Sequence, residues 1–294
     1  MTPLRAWIAA VRPATLLAAI APVAVGTACA HATLGARPGA AALCLAGALL
    51  LQITANLVND VADFARGADT GRRLGPARAV AAGWLTAEQV RRGAGIALGL
   101  AVLCGAALFS IAGWVIIPLW IASITAAVLY TAGPRPLGYL GLGDVTVFVF
   151  FGPAGVVGTT FVQTGRAPLL AWAAALPVGA LATAILVVNN LRDRDGDAAA
   201  DKRTLAVRFG ERGARAQFQA LVGLAIAVPP ALALAFRAPW LLLPLLCAPL
   251  AIGPVARMRR SDGAALNPAL AATARLLLAF GLLLATGIAL GAPT

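Results

Sequence analysis

The chain has 294 residues, of which 61% are hydrophobic and only 12% are charged, and its formal net charge at pH 7 is +12. A soluble domain carries about 25% charged residues, so this composition excludes a globule covered by a polar surface. The basic residues lie at the ends of apolar segments and form no stripe interleaved with aromatic residues, which excludes a nucleic-acid interface.

Apolar runs of about 18 to 22 residues are long enough to cross roughly 30 Å of hydrocarbon. The first run follows a basic residue and contains Ala28-Cys29-Ala30, which imitates a signal peptide, but it continues to about Leu34 and opens a whole series of spans. The sequence therefore predicts an all-α polytopic membrane protein, with one transmembrane domain over residues 1–294. In chain order, the nine predicted spans are 15–34, 39–58, 92–112, 114–131, 144–162, 168–190, 217–236, 238–257 and 271–290.

The basic residues predict the orientation of these spans. If the N-terminus is cytoplasmic, 19 Lys and Arg residues lie in cytoplasmic segments and the adjoining helix ends, whereas the outer loops hold three, Arg37, Arg166 and Arg237. This bias follows the positive-inside rule. The N-terminus is therefore predicted to be cytoplasmic and the C-terminus to be outside.

The acidic residues form two related motifs. All 11 fall on the predicted cytoplasmic side, and seven crowd into the segments that follow the second and the sixth spans. Asn59 and Asp63 are four residues apart after the second span, and Asn189 and Asp193 repeat that spacing after the sixth. Residues four apart share a helical face. The pattern predicts two related halves that face each other across a central cavity.

Oxygen-rich side chains in these two segments predict a magnesium site. Asn59, Asp60 and Asp63 are expected to share a face, and Asp193 and Asp197 are again four residues apart. Mg²⁺ prefers oxygen ligands and binds substrate phosphates through one or two carboxylates. Basic residues near both segments can supply counter-charges to a pyrophosphate, whose departure the metal assists.

A third segment, residues 130–144, is rich in glycine and proline and is predicted to form an irregular loop on the same side of the membrane. Asp144 opens the span that follows. Two interpretations stay open for it, an N-cap of that helix and a substrate or catalytic role. The sequence offers no Ser/His/Asp or Cys/His set for covalent catalysis, and the only histidine, His31, lies at the outer end of the first span.

Taken together, these motifs resemble the UbiA-type superfamily of membrane prenyltransferases. Within it, the members that prenylate 1,4-dihydroxy-2-naphthoate are the most similar, over about residues 10–210. The residues that carry the resemblance are Arg12-Pro13-x-Thr15-Leu16, Asn59-Asp60-x₂-Asp63, Gly75-Pro76-x-Arg78, Tyr130-Thr-Ala-Gly, Gly141-Leu-Gly-Asp144 and Asn190-Leu-Arg-Asp193 followed by Lys202-x-Thr204.

The resemblance implies a nine-helix fold around a cavity open to the membrane, in a bacterial inner (cytoplasmic) membrane. It implies Mg²⁺-dependent transfer of a polyprenyl group from polyprenyl pyrophosphate to 1,4-dihydroxy-2-naphthoate, with loss of CO₂ and pyrophosphate, giving demethylmenaquinone. It assigns metal binding to Asn59, Asp60, Asp63, Asp193 and Asp197, of which the four aspartates are the implied catalytic residues. The implied substrate contacts are Asn59, Asn189, Arg73, Arg78, Lys202, Tyr139 and Asp144.

Several alternatives stay open. Other acceptors, such as 4-hydroxybenzoate, homogentisate or chlorophyllide, are compatible with the same motifs. A secondary transporter would place ionisable residues near the bilayer midplane, where this chain has almost none. A phospholipid-type enzyme would gather its acids in one long motif. Two positions depart from the superfamily pattern, because Ala14 replaces a commonly basic residue and Asp201 stands where glycine often precedes the lysine.

Overall fold

The computed structural model describes residues 1–67 and 74–291, and within these ranges every regular element is a helix, which confirms the predicted all-α class. Short 3₁₀ segments and one π-helical turn interrupt the α-helices at Gly113–Val115, Phe150–Ala154, Pro239–Cys247 and Gly263–Leu266. The α-helices are α1 Pro3–Val11, α2 Pro13–Thr33, α3 Pro38–Ala65, α4 Ala87–Ala112, α5 Ile116–Leu129, α6 Gly143–Val149, α7 Gly155–Thr164, α8 Leu169–Arg192, α9 Arg194–Ala199, α10 Leu205–Ala235, α11 Pro249–Arg260 and α12 Asn267–Gly291.

The longest apolar segment, 87–129, contains two spans rather than one. Its 43 residues would measure about 65 Å as a single helix, roughly twice the hydrocarbon thickness. The chain turns at Gly113, whose φ of 68° favours glycine. Beyond the turn, the indole N–H of Trp120 donates to the backbone oxygen of Ala101 at 3.2 Å, so α5 packs back against α4.

The number of spans agrees with the sequence. Length and composition identify seven membrane-spanning helices among the described residues, or eight if the pair Pro239–Cys247 and Pro249–Arg260, bent by 45°, counts as one span. Division of the long segment at Gly113 brings the described part of the chain to nine spans. The protein is therefore a multi-pass membrane protein.

Helix α8 lies at the centre of the bundle. Of the residues in its apolar window, 78% are buried, the largest share of any span among the described residues. Small residues permit this enclosure: a Cβ added at Gly179 would lie 2.8 Å from the Phe148 oxygen, and one added at Gly152 would lie 2.9 Å from the Ala175 oxygen. Such close backbone contacts are typical of packing between membrane helices.

The cytoplasmic helix ends extend beyond the predicted spans. Helix α3 continues to Ala65, past the predicted end at 58, so the first acidic motif lies in its last two turns and not in a loop. Helix α10 begins at Leu205 rather than near 217, because the Thr204 hydroxyl caps it by accepting from the Val207 N–H at 3.3 Å. Helix α10 then bends at Gly210, where φ is 68°.

Candidate active site

One cavity of 1130 Å³ joins the ends of α3 and α8. Both acidic motifs contribute side chains to its polar end, so residues 130 positions apart in the chain face the same space, as the repeated spacing predicted. The residues from the motifs that line it are Asn59, Asp63, Asn189, Asn190, Asp193, Asp195 and Asp197, together with the basic Arg78 and Lys202.

An apolar arm extends from this polar end between α2, α3, α5 and α7. Asp63 and Cys44 both line the cavity, and along α3 they are separated by about 28 Å at 1.5 Å per residue. The arm therefore runs most of the way across the membrane. Its lining includes Ala19, Val23, Ala48, Leu51, Leu108, Ile116, Leu119, Trp120, Phe150, Phe151 and Val162.

Residues 74–86, between α3 and α4, include a loop that folds back over the end of α3 and holds the first motif. Arg78 donates through Nη2 to Asp63 Oδ2 at 2.8 Å and through Nη1 to Asn59 Oδ1 at 3.1 Å. The side chains of Arg78 and Asp63 are each only 5% exposed. The Tyr139 hydroxyl donates to the other carboxylate oxygen of Asp63 at 3.0 Å. Both oxygens of Asp63 are thus oriented, one by the buried Arg78 and the other by the half-buried Tyr139.

The second motif carries its own cations. Arg192 donates through Nε and Nη2 to the two carboxylate oxygens of Asp193 at 2.9 and 2.6 Å, and Nη2 also donates to Asn189 Oδ1 at 2.7 Å. Lys202 donates to Asp197 Oδ1 at 3.1 Å. Arg194 Nε donates to Asp195 Oδ1 at 3.0 Å, so each cavity carboxylate from the two motifs has a basic partner.

Tyr139 connects the two motifs. Its hydroxyl contacts Asp63 of the first motif, while Lys202 of the second motif lies over its ring with Nζ 5.8 Å from the centroid. Arg66 also lies over this ring, at 5.0 Å, and such contacts between cations and aromatic rings are attractive. Burial, and then the Asp63 charge, raise the pKa of Tyr139, so the phenol stays protonated and continues to donate to Asp63.

Lys202 compensates the charge of Asp197 only in part. The pKa of Asp197 is raised to about 6, chiefly by burial and to a smaller extent by the charges of Asp193 and Asp63, although Lys202 opposes the shift. Its Oδ2 atom is buried without a hydrogen-bond partner. A buried carboxylate oxygen in this state is stabilised by any additional cation that reaches it.

The predicted shared face of Asn59, Asp60 and Asp63 needs a correction, because Asp60 does not line the cavity. It is 1% exposed, and its carboxylate accepts from the backbone N–H groups of Ala79 and Val80 at 3.0 and 3.3 Å. Successive helical residues are rotated by about 100°, which turns Asp60 from the cavity toward the returning loop. Its role as a metal ligand stays a prediction.

Asp144 also lies off the cavity lining. Leu142, not Asp144, is the N-cap of α6, so the N-cap interpretation of Asp144 is wrong. The carboxylate is buried and accepts from Gln217 Nε2 of α10 at 2.9 Å. Of the other predicted substrate contacts, Tyr139 reaches the site only through Asp63 and Lys202, and Arg73 falls outside the described residues.

Sequence analysis missed other polar residues of the cavity. Gln52 and Asn56 line it two turns and one turn before Asn59, respectively, and their spacing of four, three and four residues up to Asp63 is a helical stripe that could have revealed them. Asn56 also ties α3 to the junction of α1 and α2, because its Nδ2 donates to the Val11 oxygen at 2.8 Å and to Thr15 Oγ1 at 2.9 Å.

Asp201, which stands where the superfamily often has glycine, does not prevent Lys202 from reaching the second motif. Asp201 adopts a φ of 52°, the left-handed conformation that glycine favours and that Asp tolerates better than most residues. The Lys202 N–H then donates to the Asp197 backbone oxygen at 2.8 Å, while its ammonium group reaches the Asp197 carboxylate. The turn therefore forms without glycine.

The donor set at the polar end suits a hard divalent cation. It consists of carboxylate and amide oxygens, including the unpartnered Oδ2 of Asp197, and these are the ligand types that Mg²⁺ prefers. In residues 1–67 and 74–291, no three His, Cys, Asp or Glu side chains are grouped closely enough to form a ready metal site. The chemistry of the donors fits the ion, while their arrangement pairs each carboxylate with a basic residue.

The fold and the site define a polytopic membrane protein whose cavity joins a charged end to a long apolar arm. Such a cavity matches an amphipathic anion with a long hydrocarbon tail. The chain belongs to the UbiA prenyltransferase family, whose model matches residues 19–281. Family membership sets aside the transporter and phospholipid-enzyme alternatives.

Relatives and solved structures agree with this membership. The chain is 40% identical over 288 residues to the 1,4-dihydroxy-2-naphthoate octaprenyltransferase of Mycobacterium tuberculosis, covering 97% of both chains. It is 39% identical to the enzyme of the same name from Escherichia coli, covering 97% of this chain and 95% of the relative. A UbiA homologue from Archaeoglobus fulgidus bound to DMAPP and Mg²⁺ superposes with a TM-score of 0.63 at 16% identity, covering 95% of this chain and 99% of the other. The apo structure of a homologue from Aeropyrum pernix gives 0.66 at 16% identity, covering 94% and 97%.

Proposed function

We propose that the chain transfers a polyprenyl group from a polyprenyl pyrophosphate to 1,4-dihydroxy-2-naphthoate, with release of CO₂ and pyrophosphate. One observation carries the proposal: a single cavity places carboxylates and basic side chains at one end and a long apolar arm at the other. These two environments match the two parts of a prenyl pyrophosphate. Relatives at 40% and 39% identity that are named for the naphthoate support that acceptor.

We further propose Mg²⁺ as the metal, held by oxygen atoms of Asn59, Asp63, Asp193 and Asp197. Support comes from the donor chemistry and from the unpartnered Asp197 Oδ2. When bound, the metal would neutralise the pyrophosphate and stabilise the charge that develops as it leaves. The Archaeoglobus fulgidus homologue bound to DMAPP and Mg²⁺ supports this part of the proposal through its shared fold.

The side chains of this protein then have distinct tasks. Arg78 and Lys202 supply positive charge at the polar end, where the C–O bond breaks and its electron pair leaves with the pyrophosphate. The apolar arm excludes water, so the allylic cation is captured by a ring carbon of the acceptor and not hydrolysed. A C–C bond forms, and the acceptor carboxylate departs as CO₂, leaving the electron pair of the broken C–C bond to restore the aromatic ring. Tyr139 keeps Asp63 oriented throughout.

We also propose that the protein lies in a bacterial inner (cytoplasmic) membrane, with the N-terminus cytoplasmic and the C-terminus outside. The bias of 19 basic residues against three supports this orientation. Reporter fusions that are active on only one side of the membrane test it. A reporter fused after residue 294 should be active outside the cytoplasm, and cytoplasmic activity would reverse the assignment.

The activity is tested with purified protein, Mg²⁺, a polyprenyl pyrophosphate and several aromatic acceptors, with products identified by mass. The expected product is the prenylated, decarboxylated naphthalenediol, and chelation of the metal should abolish it. Prenylation of 4-hydroxybenzoate or homogentisate, but not of the naphthoate, would overturn the acceptor and leave prenyl transfer standing. Unchanged activity in the presence of chelator would overturn the metal.

A further inference from the structure

Arg192, the last residue of α8, is buried and makes more hydrogen bonds than a basic residue at a helix end usually does. Its side chain is 2% exposed, and it donates four hydrogen bonds to three residues. Two bonds orient both carboxylate oxygens of Asp193, and one orients the Asn189 oxygen. The fourth runs from Nη1 to Asn267 Oδ1 at 3.0 Å. A buried guanidinium with this many acceptors fixes the position of each of them.

The fourth bond reaches a part of the fold that carries no acidic motif. Asn267 is the first residue of α12, and its Nδ2 donates in turn to the Leu74 backbone oxygen at 3.0 Å. Leu74 precedes the loop that returns over the end of α3. The side chain of Asn267 therefore links the cation of the second motif to the loop that follows the first.

The same loop also packs directly on the guanidinium. A Cβ added at Gly75 would lie 2.6 Å from Arg192 Nη2 and 2.7 Å from Cζ, so only glycine permits this approach. A few residues further on, Arg78 binds Asn59 and Asp63. A continuous series of contacts thus runs from Asp193 through Arg192 and this loop to Asp63.

Arg192 is placed to position other groups and not to contact substrate. Asn189, Asn190 and Asp193 line the cavity, whereas Arg192 is not among the lining residues. Its donors point to protein acceptors, and its guanidinium lies beneath the loop at Gly75. A residue buried behind a ligand tunes how that ligand is presented.

We propose that Arg192 is a positioning residue that sets the distance and orientation between the two acidic motifs, by holding Asp193 and Asn189 while anchoring the Leu74–Gly75 segment and the start of α12. The proposal rests on the proposed function, because it concerns how the same carboxylates are presented to a metal pyrophosphate. It adds a residue of the second motif that contacts neither metal nor substrate, and it gives α12 a part in the site.

The main test measures the dependence of activity on Mg²⁺ concentration for Arg192→Lys, with Arg203→Lys as the matched control. Lysine keeps the charge but replaces the planar fork of three donor nitrogens, which reaches Asp193, Asn189 and Asn267, with a single nitrogen atom. The half-saturating Mg²⁺ concentration should rise by about 10- to 100-fold. Arg203 has a side chain 69% exposed and paired with Asp201, which is 86% exposed, and neither residue lines the cavity, so its variant should match the wild type.

A second variant guards against misfolding. Asn267→Ala removes the link to Arg192 and Leu74 while Asp193 keeps its cation. The half-saturating Mg²⁺ concentration should therefore also rise, by at least roughly a tenth of the rise in Arg192→Lys. In the double variant with Arg192→Lys, the two effects should combine to less than their product, because both act through one contact. Independent effects that multiply fully would contradict the proposed link.

A binding measurement separates this proposal from the proposed function. The rise in unfolding temperature produced by Mg²⁺ plus inorganic pyrophosphate, which needs no acceptor, should be smaller in Arg192→Lys and Asn267→Ala than in the wild type. If neither variant changes this rise or the Mg²⁺ dependence, and only basal stability falls, Arg192 is merely structural and the proposal is overturned. If the wild type binds Mg²⁺ and pyrophosphate but prenylates no acceptor, the proposed function fails while the positioning role stands.

Discussion

The ends of α3 and α8 present the same kinds of side chain from different surroundings. In the apolar window of α3, 28% of the residues are buried, against 78% for α8. At α3, the cation on Asp63 comes from a loop that returns 15 residues later, whereas at α8 the cation on Asp193 is its immediate neighbour. The less buried helix relies on a separate loop for the cation at its end. An enclosed helix orients its carboxylate from its own last turn.

The largest effect should come from removing either carboxylate. Asp63→Asn and Asp193→Asn should each lower kcat by about 100- to 1000-fold, because each removes a carboxylate proposed to hold the Mg²⁺ that would stabilise the charge on the leaving group. Asp201→Asn is the matched control, since its side chain is 86% exposed and off the cavity lining. A large loss in only one of the two variants would show that the motifs are not equivalent, which would break the comparison.

The second effect is a pH dependence of stability and of Mg²⁺ binding that comes from Asp197 of the second motif. With the pKa of Asp197 raised from 3.8 to about 6, the folded protein keeps a proton in this window that the unfolded chain releases. Stability of the metal-free protein should therefore fall as pH rises from about 4 to 6. Mg²⁺ competes for the same carboxylate, so its half-saturating concentration should rise about tenfold per pH unit below 6.

Asp197→Asn supplies the control for this titration. The variant has no proton to lose at that position, so the unfolding shift produced by Mg²⁺ plus pyrophosphate should be weak at every pH and should no longer change near pH 6. Persistence of the same pH dependence in this variant would assign the titration to another group.

The third effect is confined to the first motif. Tyr139→Phe deletes the hydroxyl that donates to Asp63 and keeps the ring under Arg66 and Lys202. Loss of a hydrogen bond to a charged group, about 1.5 kcal/mol, predicts roughly a tenfold fall in kcat/KM. Tyr139→Leu, which removes the ring as well, should fall further, and equal activities for the two variants would show that the ring contributes nothing.

The smallest catalytic effect is expected at Asp60. Asp60→Asn should change kcat by about twofold, while the free energy of unfolding falls by about 1–3 kcal/mol, because a buried acceptor of two backbone N–H groups is weakened. Comparison with Asp63→Asn in the same kinetic and unfolding assays checks this. A loss as large as that of Asp63→Asn would support the prediction that Asp60 is a metal ligand.

The spans and the convergence of the acidic motifs could be predicted because their signals are local. Apolar run length gives the number of spans, and the spacing of four residues gives the faces at Asp63 and Asp193. The orientation of Asp60 could not be predicted, since it depends on the loop that returns with Ala79 and Val80.

The roles of Arg192 and Arg66 could not be predicted either, because they also depend on contacts with distant residues. Arg192 and Arg194 look alike as basic residues at a helix end, but the side chain of the first is 2% exposed and that of the second 33%. The difference depends on contacts from distant parts of the chain, which are Asn267 and the loop at Gly75. In the sequence, Arg66 is only one of the 19 basic residues that predict the orientation of the spans. In the structure, it donates to the backbone oxygens of Thr131 and Gly133 and so anchors the loop that carries Tyr139.

The enclosure of α8 has a consequence for how the bilayer affects this protein. A helix with protein on nearly every side has little contact with acyl chains, so changes in lipid length or saturation reach Asp193 only through neighbouring helices. Helix α3 is less completely enclosed by protein, so its tilt responds more directly to membrane thickness. We therefore expect thin and thick bilayers to shift Asp63 relative to a nearly stationary Asp193, which makes turnover sensitive to the membrane in which the protein is reconstituted.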